Sequence, residues 1–167
     1  MQKVIFTGPE SSGKTTMSKW YAEQVDGIYV PEFARMYFQA GNENYDLNDL
    51  QKIGRGQLAL LESADQFERQ AVCDTGMLVI KIWAELKFGA QLEFVDNSIV
   101  QDNLALYILC KPDIPWEPDP LREDEHSRHE LFEHYKMLLN KYQLRYQVLE
   151  GSLEERKKFL LGLNLPE

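Results

Sequence analysis

Residues Gly8 to Thr15 read G-P-E-S-S-G-K-T, which fits the pattern G-x-x-x-x-G-K-[ST]. The residue types suit one task, holding the phosphates of a nucleoside triphosphate. Gly8 and Gly13 permit backbone conformations that turn successive N–H groups onto phosphate oxygens. Pro9, Glu10, Ser11 and Ser12 are the loop body between them, and Thr16 follows in the first helical turn. Lys14 is long enough to reach the β- and γ-phosphates, and the Thr15 hydroxyl suits Mg²⁺. A helix opening near Lys14 adds its N-terminal dipole to the same anion. Such a loop serves switches, motors and small-molecule kinases alike, so the remaining polar residues must discriminate.

Two carboxylates are candidates for the rest of the chemistry. Glu32, in "YVPEFAR", follows a β-type run and is placed to accept the proton of an attacking hydroxyl. Arg35, one helical turn on, could bind substrate, or the two could form an ordinary ion pair. Asp74 ends the run "AVCD", where a second Mg²⁺-associated acid would lie, and it could equally cap the next helix. The segment 111–128 carries Pro112, Pro115, Pro118 and Pro120 amid mixed charge. Its length suits a functional lid rather than a plain strand–helix connection. Within it Arg122 and Arg128 could neutralise charge on a transferred phosphoryl group, or simply face water among Glu123, Asp124 and Glu125. Trp116, between Asp113 and Asp119, could stack on a flat ring or pack at the loop's base. Trp83 sits among apolar residues and reads first as core. The turn Gly151-Ser152 with Arg156 could touch the base of the nucleotide or be an ordinary turn before a helix. His126, His129 and His134 lack the carboxylate–histidine signature of a metal site.

These residues need a scaffold, and the hydropathy pattern supplies one. Five β-type runs, 3–8, 27–32, 71–75, 104–110 and 145–151, are apolar inside without strict alternation, as strands covered on both faces are. Helical patterns follow them at 14–25, at 49–70 with Asp46 or Asn48 as cap, at 77–89 ending on Gly89, from Ser127 through Tyr142, and at 153–163. Alternation of strand and helix over 167 residues predicts one α/β domain, 1–167, built on a parallel doubly wound sheet.

A net charge of −9 disfavours nucleic acid as the main partner but leaves room for a local phosphate pocket. No apolar run reaches the ~20 residues of a membrane span, and no basic-then-apolar leader opens the chain, so the cytoplasm is expected. Cys73 and Cys110 lie in apolar runs and read as buried free thiols.

Taken in order, "GPESSGKTT", "VPEFAR", "CDT" before a helix containing "IW", and "PDIPWEPDPLRE" resemble the ribosylnicotinamide kinase domain of NadR-type proteins over nearly the whole chain. The resemblance implies a P-loop NTPase fold like that of nucleoside and nucleotide kinases, with a five-stranded parallel sheet and a short lid at 111–128. It implies ATP and Mg²⁺ as cofactors and phosphorylation of the 5′-hydroxyl of nicotinamide riboside. It carries Glu32, Lys14, Asp74 and Arg122 over as catalytic, with Thr15 and Asp74 at the metal. The phosphate loop, Arg128 and Arg156 fall on the nucleotide, and Glu32, Arg35, Asp74, Trp116 and Asp119 on the substrate. Because the chain opens directly at the kinase strand, the adenylyltransferase activity that often accompanies this domain is expected to be absent. Two positions depart from the family pattern, Gly76 where a second carboxylate follows Asp74-Thr75, and Pro120 where glycine is usual. Gly76 keeps a second reading open, an ATPase or regulatory module of the same fold without nucleoside kinase activity. No N-K-x-D motif supports a GTPase.

Overall fold

In a computed structural model that describes residues 3–39, 45–102, 104–117 and 127–163, the five apolar runs form strands β1 (Val4–Thr7), β2 (Ile28–Val30), β3 (Ala71–Asp74), β4 (Leu106–Cys110) and β5 (Arg145–Leu149). All neighbouring pairs are parallel, in the order β2-β3-β1-β4-β5. Side chains alternate between two apolar layers, as the pleat requires. Val4, Phe6, Val72, Leu106, Ile108 and Cys110 pack under one layer, with Met17 and Tyr21 of helix α1 (Lys14–Gln24) and Leu160 of helix α7 (Leu153–Leu161). Ile5, Cys73, Tyr107 and Leu109 face the other, beneath α3 (Leu47–Ala64), α4 (Met77–Phe88), α5 (Glu93–Gln101) and α6 (Arg128–Lys141). Burial on both faces explains why the strand sequences show no polar alternation.

The helix ends follow local chemistry, with some departures from expectation. Asp46, one of the two expected caps, closes a reciprocal capping box with Asp49 at the start of α3. Ser152 and Glu155 do the same at α7, and Gly89 ends α4 in the left-handed region. The long helix stops at Ala64 rather than Gln70, because the segment beyond it must descend into β3. Ser127 holds the N-cap position of α6, but its side chain makes no cap hydrogen bond, since its backbone is not extended there. Two short helices carry too little periodicity to be expected from sequence, α2 (Phe33–Gln39) and α5. Both cysteines are buried free thiols. Among the described residues no helix is long and apolar enough to cross a membrane.

Parallel strands place all their carboxyl ends on one edge. The turns after β1, β2, β3 and β4 converge there, at the point where the strand order reverses direction on either side of β1.

Candidate functional site

The phosphate loop leaves β1 at Gly8 and enters α1 at Lys14. Gly8 (φ +132°) passes so near β4 that a Cβ would stand 2.6 Å from the Cys110 carbonyl oxygen. Ser11 and Gly13 also have positive φ, and these turns curl the loop into a cradle. Lys14 Nζ donates to the carbonyl oxygens of Gly8 (2.9 Å) and Pro9 (2.7 Å), so the ammonium sits across the cradle's mouth. The Ser12 hydroxyl closes the turn onto the Pro9 carbonyl at 2.7 Å.

Arg156 is the brace behind this loop. It is 2 % exposed, the largest fully buried side chain among the described residues. Nε donates to Gly151 O (3.0 Å), Nη1 to Ser12 O (2.7 Å), and Nη2 to Lys111 O (2.9 Å) and to the Asp113 carboxylate. Its guanidinium therefore spends four donors on protein acceptors from the phosphate loop, the β4 exit and the turn before α7. The expectation of direct nucleotide contact gives way to a brace on the loop backbone. The loop 111–117 folds against the same cradle, with the Glu117 N–H donating to Ser11 Oγ at 3.0 Å.

The cradle opens into a cavity of about 570 Å³. Gly8 through Thr16 line it together with Glu32 and Arg35. Arg35 Nε lies 3.2 Å from Glu32 Oε2, with the side chains 35 % and 19 % exposed, so the pair is only part-buried and open to the cavity. Gln57, 1 % exposed, fixes where this pair begins. Its Oε1 accepts the Phe33 N–H at 2.8 Å and its Nε2 donates to Thr75 O at 3.4 Å, tying the exits of β2 and β3 together. Thr75 needs such a tie, because its φ of +84° is strained for a β-branched residue. Farther out, Phe38, Val79, Ile82, Trp83 and Leu86 make an apolar wall, with Tyr135 of α6 beside them. Trp83 Nε1 donates to Tyr45 Oη at 3.0 Å, and the Phe38 and Trp83 ring centroids are 6.2 Å apart.

Asp74 lies beside Phe6 in the sheet register and is 1 % exposed. Oδ2 accepts from the Tyr29 hydroxyl at 3.0 Å, while Oδ1 is buried with no hydrogen-bond partner among the described residues. An unserved buried carboxylate oxygen is costly, so this donor set fits a cation or its water on the α1 side of the sheet. Thr15, which opens α1, supplies a hydroxyl to the same edge. Among the described residues no group of three or more His, Cys, Asp or Glu could hold a metal, so a divalent ion would depend largely on phosphate oxygens and water.

The structure thus brings Gly8 to Thr16, Glu32 and Arg35 around one cavity, while Asp74, buried at the end of β3, is not among the residues that line it. Arg128 is held at its edge, donating from Nη1 to the carbonyls of Ser11 and Ile114, each at 3.2 Å. Trp116 does not join the residues lining the cavity. Its ring faces the Arg128 guanidinium, 5.4 Å away, which favours a role at the loop's base. Arg122, Asp119, Pro120 and His126 lie outside the described residues. Gly76 is explained by packing, since a Cβ there would stand 2.7 Å from Ile5 Cγ2 in the core. The residues that sequence reasoning left without a role are Tyr29, Phe38, Gln57 and Tyr135. Only Tyr29 carried a signal, lying in the quoted "YVPEFAR" stretch.

A parallel five-stranded sheet with a G-x-x-x-x-G-K-T loop after its central strand defines a P-loop NTPase fold. A family model described as an AAA domain matches residues 3–156, and the chain belongs to that family. In fold the chain is similar to the NadR protein solved in complex with NAD and AMP-PNP. That match has a TM-score of 0.78 at 20% identity and covers 99% of this chain and 51% of the other. NadR in complex with NR gives 0.75 at 21% identity, covering 99% and 52%. The deoxyadenosine kinase from M. mycoides, with products dCMP and dCDP bound, gives 0.64 at 12% identity, covering 96% and 97%. The chain spans about half the length of the NadR chains. No curated protein sequence matches it.

Proposed function

We propose that the chain transfers the γ-phosphoryl group of ATP to the 5′-hydroxyl of a nucleoside, with nicotinamide riboside as the first acceptor to test. The observation that carries this is that Glu32 and Arg35 line the same cavity as the phosphate loop. A carboxylate in the same cavity as the phosphate loop is what an acceptor hydroxyl requires.

In this reading the loop amides and Lys14 hold the β- and γ-phosphates, and Lys14 exchanges its two carbonyl partners for phosphate oxygens. Mg²⁺, held through Thr15 and Asp74, would offset charge between the phosphates. Glu32 accepts the proton of the attacking hydroxyl as the oxygen–phosphorus bond forms and ADP leaves, and Arg35, 3.2 Å from Oε2, aims that carboxylate. The Phe38–Trp83 wall offers aromatic faces to a flat base, and a cationic pyridinium ring would gain about 0.5–2 kcal/mol there. The fold likeness to NadR bound to NR supports this acceptor over others.

The test is transfer of labelled phosphate from ATP to a panel of nucleosides by purified protein. Phosphorylation of a nucleoside, abolished by Lys14→Ala and slowed at least ~100-fold by Glu32→Gln with nucleotide binding retained, is the expected result. ATP hydrolysis indifferent to every nucleoside would refute it and leave a nucleotide-binding ATPase module.

A further inference from the structure

Asp74 reaches the nucleotide edge of the sheet with its two carboxylate oxygens in different circumstances. Oδ2 accepts a 3.0 Å hydrogen bond from the Tyr29 hydroxyl, and Oδ1 is buried without a partner among the described residues. The two residues lie on neighbouring strands, β2 and β3. Tyr29 packs with the apolar layer beneath α1, and its ring lies 5.6 Å from Lys19 Nζ. The ring is therefore held by packing, and only its hydroxyl tip is polar.

We propose that Tyr29 is a positioning residue, whose hydroxyl pins Asp74 Oδ2 so that Oδ1 is left turned toward the divalent ion accompanying the nucleotide. This inference rests on the reading of the site as one for metal-dependent phosphoryl transfer. The physical reason is that a carboxylate has equivalent oxygens and rotates freely unless one is tied. Here one oxygen is tied by a donor from the adjacent strand, and the second then has a fixed direction. Tying the first uses none of the residues that line the cavity, since Tyr29 is not among them. Against a carboxylate oxygen the phenol hydroxyl acts as the donor. Hydrogen bonds of this kind behind a metal-associated carboxylate set its orientation and basicity.

The test uses the full chain with AMP-PNP and Mn²⁺, following free Mn²⁺ by electron paramagnetic resonance. Tyr29→Phe keeps the ring and its packing and removes only the hydroxyl. It should weaken Mn²⁺ binding to the nucleotide complex about tenfold. The melting temperature should fall by no more than about 4 °C, and metal-free AMP-PNP binding should be unchanged. Asp74→Asn should also weaken the metal, and adding Tyr29→Phe to it should weaken it no further, because the hydroxyl acts through the carboxylate. Unchanged Mn²⁺ affinity in Tyr29→Phe overturns the proposal, as does an undiminished second loss in the Asp74→Asn background. A wild-type complex that binds AMP-PNP but no Mn²⁺ overturns the metal-dependent reading itself, which keeps the two failures apart.

Discussion

Replacing Arg156 with methionine tests the brace behind the phosphate loop. Methionine keeps an apolar stem of similar reach, so the change removes the guanidinium rather than opening a cavity. Three backbone carbonyls, of Ser12, Lys111 and Gly151, lose their donors, and Asp113 loses its cation. Asp113 is partly compensated, since its side chain is 26 % exposed and still accepts the Gly151 N–H at 2.7 Å. The carbonyls are not. Breaking one side of a buried pair costs about 3–5 kcal/mol, and some water will reach the vacated position, so about 3–4 kcal/mol is expected. Against a total of about 5–15 kcal/mol the protein stays folded, and at about 2–4 °C per kcal/mol its melting temperature drops by roughly 6–16 °C. A second consequence distinguishes a brace from a mere core residue. The Ser12 carbonyl and the Gly13 N–H belong to one planar peptide, so anchoring the oxygen aims the N–H the opposite way, into the cradle. Loss of the anchor should weaken AMP-PNP about tenfold, roughly one charge-assisted hydrogen bond. Arg156→Lys should recover part of the stability and little of the affinity, because one ammonium cannot span acceptors on three segments. Differential scanning calorimetry and titration calorimetry read the two effects. A melting temperature within about 2 °C of wild type, or full nucleotide affinity in a destabilised Arg156→Met, would refute this reasoning.

Gly76→Asp, which would restore a second acid after Asp74, should lower stability by about 1–2 kcal/mol in chemical denaturation, because overpacking against Ile5 outweighs the N-cap an aspartate would provide. Cys110, whose thiol burial pushes up to about 12, and Cys73, raised by the same cause, should be inert to Ellman's reagent at pH 8 until the protein is unfolded. Asp49, held below its usual range by hydrogen bonds from Tyr37, Lys52 and the Asp46 backbone, contributes stability that is complete above its unfolded value near 3.8 and is lost as pH falls through its lower folded value. Asp49→Asn should therefore show a shallower loss of stability than wild type below pH ~4, followed by circular dichroism.

Much of this molecule is readable from residue order because the relevant physics is local. The G-x-x-x-x-G-K-T loop, the buried-strand runs and the Asp46 and Ser152 caps all depend on residues within a few positions of one another. The sheet's strands emerged for the same reason, since an apolar run covered on both faces needs no knowledge of which helix covers it. That Glu32 lines the same cavity as the phosphate loop follows from the parallel sheet, because every strand ends on the same edge. Short helices such as α2 and α5 escaped, their few turns being stabilised by packing rather than by periodicity.

The roles of single side chains were decided only by the tertiary structure. Arg156, after a Gly-Ser turn, was open to touching the nucleotide or to belonging to an ordinary turn before a helix. Its partner Ser12 lies 144 positions away, and only the fold reveals that its donors are spent on backbone. Trp116 was open to stacking on a ring or packing at the loop's base, and the Arg128 guanidinium 5.4 Å from its ring favours the second. Gly76 looked like a lost carboxylate, and it is a glycine because β1 carries Ile5 too close for any side chain. Gln57 showed nothing in its neighbourhood, and Tyr29 only its place in "YVPEFAR", since each acts on a residue of another strand or loop brought near by the sheet. Sequence determined which chemistry this chain carries, because motifs and hydropathy are short-range. The fold decided which of those groups face the cavity and which hold the others in place, because burial and hydrogen-bond partners are set by contacts between distant segments.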